Sequence, residues 1–413
     1  MHAFLTSSIG VTCAAALTLP LTTEPTTATT APARAAPAQA PTPGSTQSLP
    51  LTPSPGDRTA TAPGTAPGAA EQRVPRRSTR HFSLVGVVWD DPATALHGRV
   101  QVRTRATTTG AWSDWQDLET HNADHAADPG TAEGTSGRVR GATAPLWVGD
   151  SDGVEARVHA ADEYDVTPLP TGMHLELVDP GEDTETPAPN RTRTENELPA
   201  LGSPTEQRKA GPHTGPRPRI VTRHGWGADE NLRARNATYT RKVKAAFVHH
   251  SDTGNDYRCS QAPSVIRGIH RYHVTSMGWR DIGYNFLVDK CGKIYEGRAG
   301  GVSKPVLGAH TMGFNANSTG IAVLGTYSAK KPSSAAVKAV ARLTAWKLGL
   351  HGVNPRGKTY LRSAGGNLYR KGKNVRLNVI SGHRDGFATS CPGKQLYGKL
   401  RTARSSAAKY QGR

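Results

Sequence analysis

Two tracts poor in large apolar side chains interrupt this chain and bound what it can fold into. Residues 39–77 are mostly Pro, Thr, Ala and Gly, and residues 180–218 are rich in Pro, Thr and Glu. Such stretches cannot offset their ordering entropy by burial, so each reads as an extended linker. They divide the 413 residues into a leader (1–38), a first domain (78–179) and a second domain (219–413). With 44 Gly, 30 Pro and only 36% hydrophobic residues, part of the chain is expected to be non-globular. Charge divides along the same line. Gly215–Arg413 carries 35 Lys and Arg against 8 Asp and Glu, a net +27; residues 1–214 carry 16 against 25, a net −9. The chain's +18 is therefore the sum of two unlike parts. No apolar run reaches the roughly 18 residues of a membrane-spanning helix, so an integral membrane protein is not expected.

In the leader, Ile9–Leu21 is mildly apolar and small residues between Ala33 and Ala38 offer cleavage sites, but no Lys or Arg precedes Ile9. It reads as an export signal or as a disordered Ala/Thr tail, and export is the favoured reading. Cys13 follows Val11-Thr12, a poor context for lipid attachment.

The first domain reads as all-β. Phe82–Trp89 and Gly98–Arg105 are strand-like, and Val100 and Val102 alternate with Gln101 and Arg103 as in a half-buried strand. Trp112–Trp115, Leu146–Val148 and Val154–Val158 continue the pattern, so a small β-sandwich is expected. Trp112, Trp115 and Trp147 are either core residues, the favoured reading, or a sugar-stacking face. Nothing in the sequence says what this domain does.

The second domain alternates strands and helices. Lys244–His250 reads as a buried strand, and Pro263–Met277 as a helix with Pro early and Gly278 at its end. Ile282–Val288, Lys293–Tyr295, Gly320–Gly325 and Asn378–Ile380 read as strands; Ser333–Leu350 and Gln395 to about Ala408 read as helices. An α/β domain follows, with helices flanking a mixed central sheet. His249-His250, His383 and Cys391 stand at strand ends, where side chains converge. Two His and one Cys with a fourth position left for water make a catalytic zinc set, although spacing alone is a weak signal for it.

Six motifs occur in order: Val248-His249-His250-Ser251, Gly278–Leu287 (GWRDIGYNFL), Tyr295–Arg298 (YEGR), Gly308–Thr311 (GAHT), Asn317–Ile321 (NSTGI), and Gly382–Asp385 (GHRD) with Thr389–Gly393 (TSCPG). Together they closely resemble the peptidoglycan recognition protein family, which shares its fold with zinc-dependent N-acetylmuramoyl-L-alanine amidases. The resemblance covers residues 219–413, and the two-part layout is similar to secreted actinobacterial members. It implies Zn(2+) held by His249, His383 and Cys391, with Tyr284 as the catalytic tyrosine. Thr389 matches a position held by lysine in phage members and by threonine in many recognition proteins, and the resemblance implies a second catalytic residue there that helps stabilise the oxyanion. His250, Ser251, His273, His310 and Asn315 match positions that shape or contact a muropeptide groove, and Arg298 is placed to pair with a stem-peptide carboxylate. One departure stands out: members selective for diaminopimelate stems often carry Gly-Trp where this chain has Ala299-Gly300-Gly301. Lys358–Lys373 reads as an insertion, a flexible loop at the groove rim. With Cys391 assigned to the metal and Cys13 to the leader, Cys259 and Cys291 are expected to form a disulfide, or else stay as two thiols.

The implied activity is hydrolysis of the amide between N-acetylmuramic acid and L-alanine; the alternative is a non-catalytic peptidoglycan-binding protein. The expected location is extracellular or cell-wall associated, the expected state a monomer. The basic half is suited to anionic wall polymers, and no motif supports specific nucleic-acid binding.

Overall fold

The computed structural model describes residues 43–54, 71–120, 124–160, 168–182 and 211–413. The expected export signal, Cys13 and most of the 180–218 linker lie outside the described residues.

The first half is all-β, as expected. Its strands are β1 (Ser45–Pro50), β2 (Thr52–Pro53), β3 (Glu71–Trp89), β4 (Gly98–Ala106), β5 (Gln116–Leu118), β6 (Gly141–Ala142), β7 (Leu146–Ala160) and β8 (His174–Asp179). They form one eight-stranded sheet ordered β1-β8-β3-β7-β4-β5, with β2 and β6 also paired to β3. The pairings are antiparallel. The long strands β3 and β7 shift register at Val74/Arg77, Ser78/Phe82 and Phe82/Leu84. Such irregularities bend strands, and the sheet encloses a core that includes Phe82, Val85, Val100, Val158 and Leu177. The first linker expectation needs correction: Ser45–Pro50 pairs along its length with β8, and Glu71–Arg77 is the start of β3. Backbone pairing and burial of Leu51 and Val74 hold a stretch that composition alone reads as loose. The tryptophans part company. Trp147 is buried. Trp112 and Trp115 are half-buried and stack with Arg76, Arg103 and Arg157.

The second half contains β9 (Ile220–Val221), β10 (Ala245–His250), β11 (Phe286–Val288), β12 (Ile294–Glu296), β13 (Ser318–Val323), β14 (Lys358–Arg362), β15 (Asn374–Asn378) and β16 (Ile380–Gly382). Six make a mixed sheet ordered β16-β10-β13-β11-β12-β9. β10 runs parallel to β13 and β16, while β11 and β12 form an antiparallel hairpin. Strand alternation sends Val248, Phe286, Val288, Ile321 and Val323 into one core with the helices Ser334–Gly349 and Leu400–Tyr410. Ser333 caps the longer helix, its side chain accepting the Ala336 N–H at 3.0 Å. Leu287, Ala322 and Leu324 face the other way, toward the helix Ala262–Arg271. That helix opens on Pro263, continues as one wide turn over Tyr272–Ser276, and stops before Gly278, whose φ of 74° suits glycine.

Two expectations fail here. Lys358–Lys373 is not a loose loop, because β14 pairs antiparallel with β15, and Leu361, Val375 and Leu377 bury against Phe247 and Phe314. Nor is the second half isolated. Leu84, Val88, Trp147 and Val178 of the first sheet share a core with Val265, Ile266, Ile269 and Tyr272 of the helix. Both linkers suggested beads on a string; apolar residues on the outer face of the first sheet instead find their cover on the second half. The described end of the second linker also packs down, with Gly215 N–H donating to Ala345 O at 3.4 Å.

Candidate metal centre

β10 carries His249 to its C-terminal end, and β16 delivers His383 at the start of a short 3-10 turn. Cys391 follows in the next loop. All three are buried, and among the described residues Cys391 is the free cysteine. His249 Nδ1 lies 3.8 Å from Cys391 Sγ. Its other nitrogen, Nε2, lies 3.3 Å from His310 Nδ1 and 3.4 Å from Thr311 Oγ1. This is the arrangement of a ligating imidazole, one nitrogen turned inward and the other held from behind.

A fourth donor completes the cluster, and it comes from the first half. His125 Nε2 stands 3.6 Å from Cys391 Sγ, and its ring centre is 4.5 Å from that of His383. The donor atoms of His125, His249, His383 and Cys391 lie within 4.8 Å of one another. Asp124 Oδ1 accepts from His125 Nδ1 at 3.0 Å, which turns the Nε2 lone pair toward the thiol. Both ring nitrogens of His383 are buried without a hydrogen-bond partner. Buried polar atoms are rarely left that way; a cation among the four donors would satisfy one nitrogen, while Nδ1 lies 3.5 Å from Asp124 Oδ2.

The electrostatics agree. Burial, joined by His383 and His125, pulls His249 well below the ordinary imidazole range. Burial likewise lowers His383 to about 3 against the pull of Asp124. Both rings are therefore neutral and ready to donate a lone pair. Burial would raise the Asp124 carboxyl, but His125 and His383 outweigh it and hold Asp124 below the usual carboxylate range. Burial and nearby Asp124 push the Cys391 thiol up, so a thiolate here needs a cation beside it. Three imidazoles and a thiol suit zinc.

Tyr284 adjoins the cluster, its ring 5.6 Å from that of His249. Burial, with Cys391 and Asp124 adding, raises its phenol well above the ordinary value, so it stays protonated. His273 accepts the Gly283 N–H at 3.2 Å and packs against Trp279 and Tyr284. Asn315 Oδ1 accepts from the backbone N–H groups of His310 and Thr311 at 2.7 and 3.0 Å. His250 points to Tyr327, whose N–H it accepts at 3.3 Å, and lies beside Asp252. Ser251 accepts the Gly325 N–H at 2.9 Å and shares a hydrogen bond with Thr253. Thr389 accepts the Cys391 N–H at 3.1 Å. Arg298 is buried, with Nε donating to Ile282 O at 2.9 Å. Cys259 and Cys291 form the expected disulfide. Sequence reading missed His125, Asp124, Asp128 and Glu133. They sit between strands of the other domain, in no motif, and a lone histidine in a polar loop carries no signal of its own.

The comparisons with known proteins fall on the same two halves. Residues 239–394 match the N-acetylmuramoyl-L-alanine amidase family model, and residues 27–195 match the Rv3811 N-terminal galactose-binding domain-like family. Peptidoglycan-recognition protein SC2 of Drosophila simulans is 30% identical over 186 residues, which are 44% of this chain and 85% of that protein. This chain belongs to the peptidoglycan recognition protein family. It is also 32% identical over 190 residues to the human N-acetylmuramoyl-L-alanine amidase, covering 45% of this chain and 28% of the human protein. Among solved structures, Drosophila PGRP-LB is 25% identical with a TM-score of 0.36, covering 45% of this chain and 93% of that one. The family resemblance lies in the second half, and His125 lies outside the residues matched to the amidase model. Among the described residues no helix is long and apolar enough to cross a membrane.

Proposed function

We propose that this family member is a secreted, monomeric zinc amidase that cleaves the bond between N-acetylmuramic acid and L-alanine in peptidoglycan. His249, His383 and Cys391 would hold the zinc. The observation that carries this reading is the buried cluster of donor atoms from His249, His383 and Cys391, with neither nitrogen of His383 in a hydrogen bond and His249 neutral. When bound, zinc supplies Lewis acidity to the amide carbonyl and lowers the pKa of water toward about 7.

The chain's own groups do the rest. His310 and Thr311 behind His249 set the direction of its inward lone pair. Tyr284 keeps its proton and donates it as a hydrogen bond to the carbonyl oxygen as negative charge gathers there. Its low exposure keeps bulk water from competing for that bond. Thr389, which accepts the Cys391 N–H, would join Tyr284 in stabilising the oxyanion. Arg298 would present its guanidinium fork to a stem-peptide carboxylate once Glu133 has left it. His273 and Asn315 would line the groove and His250 and Ser251 would brace its floor, while His310 acts from behind His249. The basic second half holds the protein on anionic wall polymers.

The alternative, binding without catalysis, is favoured by one observation: His125 supplies a fourth donor where an enzyme needs an open position. Mass analysis of products from purified peptidoglycan distinguishes the two. Released stem peptides that vanish with chelator and with Cys391→Ser support the amidase. No release from any variant, opened at His125 or not, sinks it.

A further inference from the structure

We infer that residues 124–140 of the first half are a built-in occupant of the peptidoglycan groove and hold this amidase latent, with His125 filling the metal's fourth position and Glu133 taking the place of a substrate carboxylate. This rests on the reading of His249, His383, Cys391 and Arg298 as the working site.

Three anchors carry it, and each lands on a residue given a working role on other grounds. The first is His125 within the donor cluster, aimed by Asp124. Asp124 O also accepts the Met312 N–H at 3.0 Å, fixing the segment where it enters. The second is Asn315, whose Nδ2 donates to Ala126 O and Asp128 Oδ1, both at 2.8 Å; Asp128 also accepts the Gly313 N–H at 2.8 Å. The third is Glu133. Its two oxygens meet Arg298 Nη1 and Nη2, each at 2.8 Å, in a buried fork-to-fork pair, and it accepts the Arg280 N–H at 3.1 Å. At the far end Arg140 N–H donates to Met277 O at 3.1 Å.

The chemistry of the first and third anchors excludes substrate, and the second occupies the Asn315 amide. Four protein donors make the closed coordination of a structural site, with no position left for water. A bidentate carboxylate saturates the guanidinium that would otherwise recognise one. The segment is tethered, so it competes as an intramolecular ligand at high effective concentration. Its contacts are buried and several, so surface screening will not release it. The same three contacts would be exchanged, one for one, on arrival of a muropeptide once the segment is displaced.

The test uses the full chain loaded with cobalt in place of zinc, and a soluble N-acetylmuramoyl tripeptide as probe. The unaltered protein should show a visible spectrum that added azide does not change, since no coordination position is open. With His125→Ala the spectrum should shift with azide. The pair His125→Ala, Glu133→Gln should bind the tripeptide about tenfold tighter or more, because apparent affinity falls with the fraction of molecules whose groove is open. An azide response already present in the unaltered protein overturns the proposal, and that measurement needs no variant to fold. Equal tripeptide affinity of the unaltered protein and the double variant overturns it as well. Variants that open to azide and tripeptide yet release no stem peptide uphold latency and sink the amidase reading instead.

Discussion

Tyr272 of the second half sits directly on Gly86 of the first. A Cβ at position 86 would fall 2.4 Å from the Tyr272 Cζ and hydroxyl oxygen. That hydroxyl donates to Thr143 O at 3.1 Å and Val87 O at 3.3 Å, so one side chain ties helix to sheet by packing and by hydrogen bonds. Gly86→Ala should therefore destabilise the protein by about 1–3 kcal/mol through overpacking. Tyr272→Phe should cost about 1 kcal/mol, the worth of the lost bonds. Urea unfolding of the full chain reads both, and a midpoint unmoved by Gly86→Ala would show that the two halves do not pack as described.

Tyr284→Phe removes the hydroxyl and keeps the ring that packs against His249 and His273. Turnover on muropeptide should fall by about 10²-fold, as when one oxyanion donor is lost, with KM little changed. The ratio is read in the full chain and again with His125→Ala. A variant of undiminished turnover removes Tyr284 from the chemistry.

Cys259 and Cys291 close a loop with a sequence separation of 32, tying the start of the Ala262–Arg271 helix to the β11–β12 turn. By the chain-entropy model, opening it should cost about 3–4 kcal/mol. Denaturant midpoints with and without reductant, and for Cys259→Ser, should both move down. The His249, His383 and Cys391 donor cluster lies elsewhere, so metal content should stay the same.

Lys347 is buried in the longer helix, and its Nζ donates to Val302 O and Lys304 O at 2.6 and 2.7 Å. Burial still lowers it from 10.5 to about 7. Between those values the unfolded chain keeps a proton that the folded chain releases, so unfolding takes up a proton and stability rises with pH. The slope from this group approaches about 1.4 kcal/mol per pH unit and ends near the unfolded value. Lys347→Met should lose that rise, seen as a smaller difference in unfolding free energy between pH 7 and pH 9. Equal slopes in both proteins would mean that the two carbonyls hold Lys347 charged throughout.

How far the sequence reached can be judged at single residues. Val248, Ile321 and Leu343 announced themselves as core by strand and helix periodicity, because local pattern and burial follow the same repeat. Leu51 and Val74 did not, since their burial comes from strands far along the chain. The β14–β15 hairpin was hidden for a similar reason: a Gly-, Lys- and Arg-rich composition masked the alternation of Leu361, Val375 and Leu377.

By itself the sequence determined the family, the α/β character of the second half, the His249, His383 and Cys391 set, and the cysteine pair. All of these rest on residue types at ordered positions within one domain, where motif and local fold carry the same information. Only the tertiary structure decided that the two halves share a core, that His125 joins the donor cluster, and that Glu133 meets Arg298. Those are contacts between segments far apart along the chain, the last two at separations of 266 and 165. No periodicity or spacing encodes such a meeting. It exists because the apolar outer face of the first sheet needs cover, finds it on the Tyr272 helix, and in docking there lays its 124–140 segment across the groove.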